Sequence, residues 1–242
     1  MARQKEREVC VTGITGLDRI LGGGLPASSI TLVTGDCGTG KTSLAMEFLI
    51  RGAHAGEKGL LVSTIEPLEK LLPSLPPFDF MEKDYFKSGA IMTLELPEVL
   101  ESAGLMERSI DEKSVLEMCE RLQSVISENK VRRFVMDSLT PLHFEVGNEK
   151  LMHHLLRRMS QILYDHGCTG MLVSDAGPTT EIESIIADGV LVMSNLDRHG
   201  DLLRTMQVLK MKGTEHSRSR YVIDLTSQGL IVTPLLKGGM RR

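Results

Sequence analysis

The sequence predicts an α/β fold: a mostly parallel central sheet flanked by helices, followed by antiparallel hairpins toward the C-terminus. Three observations predict it. Short apolar, β-branched runs alternate with longer helical patterns as far as about residue 188. A glycine-rich turn joins the first buried strand to the first long helix. From about residue 190 the helices give way to strands separated by tight turns. Alternating strands and helices imply parallel βαβ units with right-handed crossovers, because a parallel neighbour can be reached only through a long return connection.

The elements follow in order. Residues 29–34 read as a buried strand, and 41–54 as the helix after the glycine-rich turn. Residues 59–65 form a second strand. Residues 68–89 carry three prolines and only short helical pieces, and 90–94 return to strand. The next helix, 113–128, places Val115, Leu116, Met118, Cys119, Leu122, Val125 and Ile126 on one apolar face. Then come a strand at 131–137, a helix at 148–166 and a strand at 170–174. The closing strands are 190–194, 203–210, 221–225 and 230–234, with turns at His199-Gly200 and Gln228-Gly229. No repeat, low-complexity tract or linker interrupts the pattern, so residues 1–242 read as one domain.

Composition narrows the function classes. A 242-residue chain buries roughly 70–75% of its unfolded surface and needs no staples. The four cysteines, Cys10, Cys37, Cys119 and Cys168, are widely spaced; they make neither a disulfide framework nor a zinc signature and suit a reducing cytoplasm. The charged start of the chain lacks the apolar stretch of a signal peptide. No run approaches the roughly 18–20 apolar residues of a membrane span, and a cytoplasmic protein without a membrane partner is expected. A formal charge of −4 argues against a surface built as a whole for nucleic acid.

Residues 35–42, Gly-Asp-Cys-Gly-Thr-Gly-Lys-Thr, match the phosphate-cradling Walker A pattern between an apolar strand and a helix. The glycines allow backbone conformations that turn successive N–H groups toward phosphate oxygens. The helix N-terminus adds its positive dipole end. Gly35, Asp36, Cys37, Gly38, Thr39, Gly40, Lys41, Thr42 and Ser43 are therefore the nucleotide-binding candidates. Lys41 would neutralise the β- and γ-phosphates, and the Thr42 hydroxyl would ligate Mg²⁺.

Asp137 ends an apolar strand, Phe134-Val-Met-Asp, where a carboxylate can join the metal shell. Ser138 and Thr140 beside it could sense the terminal phosphate or cap the next turn. Glu66, read as ending the second strand, could orient or deprotonate an attacking water. Cys37 reads as a small tolerated residue. His153 and His154 are helix neighbours that point apart and make no metal pair. Arg157, Arg158 and the Lys237, Arg241 and Arg242 tail read as solvated charges.

These motifs, over nearly the whole chain, resemble the KaiC-like branch of the RecA-type P-loop ATPases. The likeness rests on the opening Thr12-Gly-Ile-Thr-Gly-Leu-Asp-Arg-Ile-Leu-Gly-Gly-Gly-Leu-Pro26, the cradle, Glu183-Ser-Ile-Ile-Ala-Asp188-Gly-Val-Leu-Val-Met193, and Lys210-Met-Lys212-Gly-Thr-Glu-His216. The resemblance implies a RecA-like fold, ATP and Mg²⁺, and a homo-oligomeric ring, a hexamer by analogy, with nucleotide between protomers. It also implies that Lys210 and Lys212 act in trans, as positive charge on the neighbour's γ-phosphate, with His216 near that nucleotide.

Two departures shape the expected function. The family commonly has two adjacent glutamates after the second strand; here Ile65 takes the first place and leaves Glu66 alone, implying slow hydrolysis. One domain, with Ser184-Ile185 where the clock protein carries its phosphorylated pair, gives no ground for a kinase or timekeeping role. The leading expectation is a slow Mg²⁺-dependent ATPase with a regulatory or signalling output. The alternatives are an ATP-gated interaction module with an unnamed protein partner, and a DNA-binding motor that the acidic charge disfavours.

Overall fold

The computed structural model of the chain describes residues 8–64, 66–81, 84–95, 110–177, 180–198 and 200–235. Ile65, His199 and the tail basic residues Lys237, Arg241 and Arg242 lie outside them.

A short antiparallel pair, β1 (Val9–Cys10) with β2 (Leu25–Pro26), brackets the single-turn helix α1 (Leu17–Ile20). The main sheet starts with β3 (Ile30–Gly35), which leads into α2 (Lys41–His54) and β4 (Gly59–Ser63). Helices α3 (Leu68–Ser74) and α4 (Asp84–Lys87) precede β5 (Ile91–Glu95). Then come α5 (Glu112–Asn129), β6 (Arg133–Asp137), α6 (Leu139–Val146), α7 (Glu149–Asp165), β7 (Thr169–Asp175) and α8 (Thr180–Ile186). Strands β8 (Gly189–Arg198), β9 (Asp201–Met211), β10 (Arg220–Thr226) and β11 (Gly229–Pro234) complete the order.

The sheet has nine strands in the order β11-β10-β9-β8-β3-β7-β6-β4-β5. From β8 to β5 every pair is parallel, and from β8 to β11 every pair is antiparallel. The expected architecture is thus observed, with a longer β8–β9 hairpin than the apolar runs suggested. Its outer half is paired through Asn195↔Arg204 to Arg198↔Asp201, mostly polar residues with the exposed Leu202 among them, whose strand state comes from ladder hydrogen bonds rather than burial.

Both faces of the parallel part are covered, which is why its strands read as continuous apolar runs. Val33, Leu61, Val135 and Met171 pack with Leu44, Phe48 and Leu49 of α2. Leu32, Val62, Phe134 and Met136 pack on the other face with Val115, Met118 and Leu122 of α5 and Leu155 and Met159 of α7. Helix starts are chemically marked. Asp111 and Ser114 form a reciprocal capping box on α5, and the Asn148 side chain accepts from Lys150 and Leu151 N–H on α7.

Arg133 is a buried cation at the start of β6. Its guanidinium donates to Glu57 at 2.5 Å and to the carbonyls of Phe48 and Val11 at 2.8 Å each, and it lies over the Phe48 ring. These bonds tie α2, β6 and the N-terminal segment together below the sheet's nucleotide-side edge.

Candidate nucleotide site

The glycine-rich turn leaves the sheet at Gly35, the last residue of β3, which pairs with Asp175 of β7 on one side and Met193 of β8 on the other. Gly35 has φ 145°, and a Cβ there would run into the Met193 carbonyl. The same carbonyl accepts from Asp36 N–H at 3.1 Å. The Thr39 hydroxyl closes the turn on the Asp36 carbonyl at 2.8 Å. Outside the turn, Asn195 donates its backbone N–H to the Asp36 carboxylate at 3.1 Å and its amide to the Cys37 carbonyl at 3.4 Å. Arg204 Nε donates to the Gly38 carbonyl at 3.1 Å. Asn195 and Arg204 thus use the β8–β9 hairpin to hold the cradle in shape, and neither was picked out from sequence.

Helix α2 starts at Lys41 with Gly40 in the left-handed region and no side-chain cap. Its first N–H groups are left without a capping side chain, the arrangement that suits an anion at a helix N-terminus. The Lys41 side chain is 7% exposed. Its ammonium donates to the Gly35 and Asp36 carbonyls at 2.8 and 2.9 Å and lies 3.1 Å from an Asp175 carboxylate oxygen.

Asp137, at the end of β6, lies close enough to the Thr42 side chain for that hydroxyl to pull its carboxyl pKa down. The two residues expected to hold a metal are therefore neighbours. Burial pushes the Asp137 carboxyl above its ordinary value, against the opposing pull of the Thr42 hydrogen bond and the Lys41 charge; Asp175 and Glu66 add repulsion. A buried carboxylate beside a hydroxyl is the oxygen donor set that a hard divalent cation takes. The pair fits Mg²⁺, with remaining ligands to come from phosphate and water, since no group of three or more His, Cys, Asp or Glu gathers among the described residues.

Glu66 differs from the expected placement. Strand β4 ends at Ser63, and Glu66 sits three residues beyond it in a bend, half-buried, its carbonyl accepting from the Ser63 hydroxyl at 2.5 Å. The last β4–β6 contacts are Thr64 N–H on the Asp137 carbonyl and the Thr64 hydroxyl on the Ser138 carbonyl, and past them the chain turns. That turn brings Glu66 near enough to act electrostatically on Asp137. The Thr140 hydroxyl accepts from the Asp175 backbone N–H at 3.0 Å, which fastens α6 to the end of β7.

Lys210, Lys212 and His216 stand apart from this constellation. Lys210, on β9, pairs with Val190 of β8, which is level with Leu32, and the cradle begins three residues further along at Gly35. Lys210 thus lies toward the opposite edge of the sheet. Its ammonium caps the end of α8, donating to the carbonyls of Ser184, Ile185 and Ala187 at 2.9, 3.3 and 2.6 Å. Burial, and then the Lys212 charge, lower its pKa from the ordinary lysine value. Lys212 pairs with Asp188 at 3.0 Å. Both ring nitrogens of His216 are buried without a hydrogen-bond partner among the described residues, a state that costs about 1–3 kcal/mol per group. Beside Lys212 opens a groove of about 880 Å³ lined by His153, His154, Arg157, Arg158 and Asp188.

With this geometry in hand, the comparisons are specific. Residues 10–237 match the KaiC ATPase family model. The chain belongs to the KaiC ATPase family. A UPF0273 protein of Thermotoga maritima is 30% identical over 234 residues, covering 92% of this chain and 95% of its own length. The circadian clock protein KaiC2 of Synechocystis is 28% identical across 93% of this chain, which spans 40% of that longer protein. A crystal structure of a KaiC-like protein from Pyrococcus horikoshii superimposes with a TM-score of 0.80 at 27% identity, covering 94% of this chain and all of that one. The RecA-type fold and an ATPase-family nucleotide site follow from this membership.

Asp175, like Asn195 and Arg204, is a residue at the glycine-rich turn that sequence reading missed. Its signal was available: it ends a buried strand, as Asp137 does, and strand C-termini surround the ligand crevice in such sheets.

Proposed function

We propose that the chain binds Mg·ATP in the cradle and hydrolyses it slowly between copies of itself in a homo-oligomeric ring, a hexamer by family analogy, in the cytoplasm and with a regulatory output. One observation carries this reading: Lys210 and Lys212 lie toward the sheet edge away from their own cradle, so the phosphate they could reach is another copy's. The basic groove beside Lys212 offers charge complementary to a phosphate-bearing surface, and the unpartnered His216 ring has hydrogen-bonding capacity to give.

In this reading Lys41 exchanges Asp175 and the two carbonyls for phosphate oxygens, and the N–H groups at residues 36–42 hold the phosphate chain. Thr42 and Asp137 would hold Mg²⁺, which would supply positive charge at the phosphate oxygens. Glu66 orients the attacking water. Lys210 and Lys212 of the neighbour add charge where the transition state becomes negative. Arginine fingers supply about 10³–10⁵ in rate; lysine, a point charge without a bidentate fork, is expected at the low end.

Light scattering with and without Mg·ATP, run beside phosphate release, tests the reading. Mass near six times 26.7 kDa with ATP, phosphate released, and activity restored on mixing Lys41→Ala chains with Lys210→Ala/Lys212→Ala chains are the expected results. A monomer under all conditions, or no restoration in mixtures, would overturn it. Ile65 in place of a second glutamate favours one other reading, an ATP-gated interaction module; assembly with ATP and no phosphate release would select it.

A further inference from the structure

We propose that the buried His143–Glu183 pair is a positioning element that couples occupancy of a protomer's own cradle to the placement of its Lys210 at the next protomer's nucleotide. The inference rests on the trans-acting role of Lys210 proposed above.

The physical links form one unbroken line. Lys41 in the cradle lies 3.1 Å from Asp175. The Asp175 backbone N–H is bonded to Thr140, in the first turn of α6, at 3.0 Å. One turn further along α6, His143 Nε2 lies 2.6 Å from Glu183 Oε1. Glu183 sits on α8, and the carbonyls at the end of that helix are the ones that hold the Lys210 ammonium. Helix α8 follows β7, which ends at the cradle edge, and feeds β8, which starts at the opposite edge. It is thus one of the elements that join the two edges on this side of the sheet.

The polar pair is placed for such a task rather than for stability. Glu183 is 2% exposed, and its second oxygen, Oε2, has no hydrogen-bond partner among the described residues. A half-satisfied buried carboxylate costs folding free energy. An apolar side chain would pack α8 against α6 without that cost. What the polar pair adds is a directional link that is lost or kept as a unit.

Two arrangements of Lys210 follow. With the ammonium on the three α8 carbonyls, the lysine is folded back on its own chain. To meet a neighbour's phosphate it has to leave them, and any tilt of α8 that spreads those carbonyls favours release. Phosphate in the cradle draws Lys41 off Asp175, and the change passes through Thr140, His143 and Glu183 to α8. Coupling of this kind is carried by contiguous networks with two discrete arrangements.

The experiment is steady-state hydrolysis against ATP concentration on the full chain, for wild type, Lys210→Ala, Glu183→Gln and Thr140→Val, with mass and thermal melting measured on each. Thr140→Val cuts the line outside the buried pair, so it remains informative if Glu183→Gln folds poorly. The expected results are a sigmoidal wild-type curve and, in both coupling variants, a Hill coefficient near one. Their kcat should be about 2- to 30-fold lower, with KM and ring mass held. A Glu183→Gln/Thr140→Val double variant should be no worse than the more damaging single one, as for groups in one network. Unchanged kcat in Lys210→Ala would overturn the trans-lysine reading and this coupling with it. A lower kcat in Lys210→Ala, beside an unchanged Hill coefficient and kcat in Thr140→Val and any folded Glu183→Gln, would overturn the coupling alone.

Discussion

The Lys41 ammonium rests 3.1 Å from Asp175, so the cation proposed to meet phosphate is already shared with a carboxylate on the strand beside β3. Any phosphate has to compete for it. Asp175→Asn is therefore expected to tighten ATP binding by about two- to fivefold at low salt, the scale of a partly exposed ion pair, with the gain shrinking as salt rises. Lys41→Ala is expected to lose binding. Calorimetric titration at two ionic strengths checks both, and weaker binding in Asp175→Asn would contradict the competition.

Ionising Asp137 costs folding free energy. Its carboxyl is raised, first by burial, so the folded state holds the proton more tightly than the unfolded chain does. The contribution to stability is most favourable below the unfolded value of 3.8 and declines as pH rises through the folded value. Asp137→Asn, which still offers Thr42 an acceptor, should raise the melting temperature of the nucleotide-free protein at neutral pH, by about 2–4 °C per kcal/mol gained. The advantage should vanish at acid pH, and Mg²⁺-dependent stabilisation by ATP should be lost. Melting curves from pH 4 to 8, with and without Mg·ATP, measure all three.

Two glycines separate shape from function. At Gly35, a side chain would meet the Met193 carbonyl beneath the cradle; Gly35→Ala should abolish ATP binding more completely than it lowers stability. At Gly229, φ is 110° and a Cβ would strike the Glu47 carboxylate, which is bonded to Leu230 N–H at 2.7 Å and paired with Arg51 at 3.1 Å. Gly229→Ala should destabilise the chain by about 2 kcal/mol or more with ATP affinity unchanged in the folded fraction. Urea unfolding and ATP titration of the two variants distinguish the cases.

Arg133 predicts a purely structural loss. Replacing it by Met leaves the Phe48 and Val11 carbonyls without their donor and should cost about 3 kcal/mol, as for other broken buried networks. ATP affinity below the unfolding transition should stay within about twofold, because the guanidinium serves carbonyls below the cradle's edge of the sheet. A large affinity loss would place Arg133 in the site instead.

Much of the fold was legible because its signals are local. The helix at 41–54 coincides with α2, and the helices at 113–128 and 148–166 differ from α5 and α7 by one residue at each end, since the apolar stripe and the caps at Asp111 and Asn148 are written within a few residues. The short helices α6 and α8 were not read. Leu139–Val146 contains Pro141 near its start, and Thr180–Ile186 is only seven residues long; both are held by contacts distant in sequence. The hairpin extension to Arg198 and Asp201 was missed for the same reason: its polar residues are strand because their partners are.

The sequence by itself determined that a Walker A pattern sits between the first buried strand and a helix, that Thr42 and Asp137 are the oxygen pair to propose for a cation, and that the sheet is parallel before about residue 188 and antiparallel after it. These follow from spacing, from alternation, and from the chemistry of glycine, lysine and carboxylate side chains. Only the tertiary structure decided what surrounds them. It put β7 between β3 and β6, bringing Asp175 to Lys41. It laid Asn195 and Arg204 over the turn, moved Glu66 off its strand, and tied Lys210 to α8 toward the far edge. Strand order and register set these relationships, and strand pairing is a contact between segments far apart in the chain, so no window of sequence contains it.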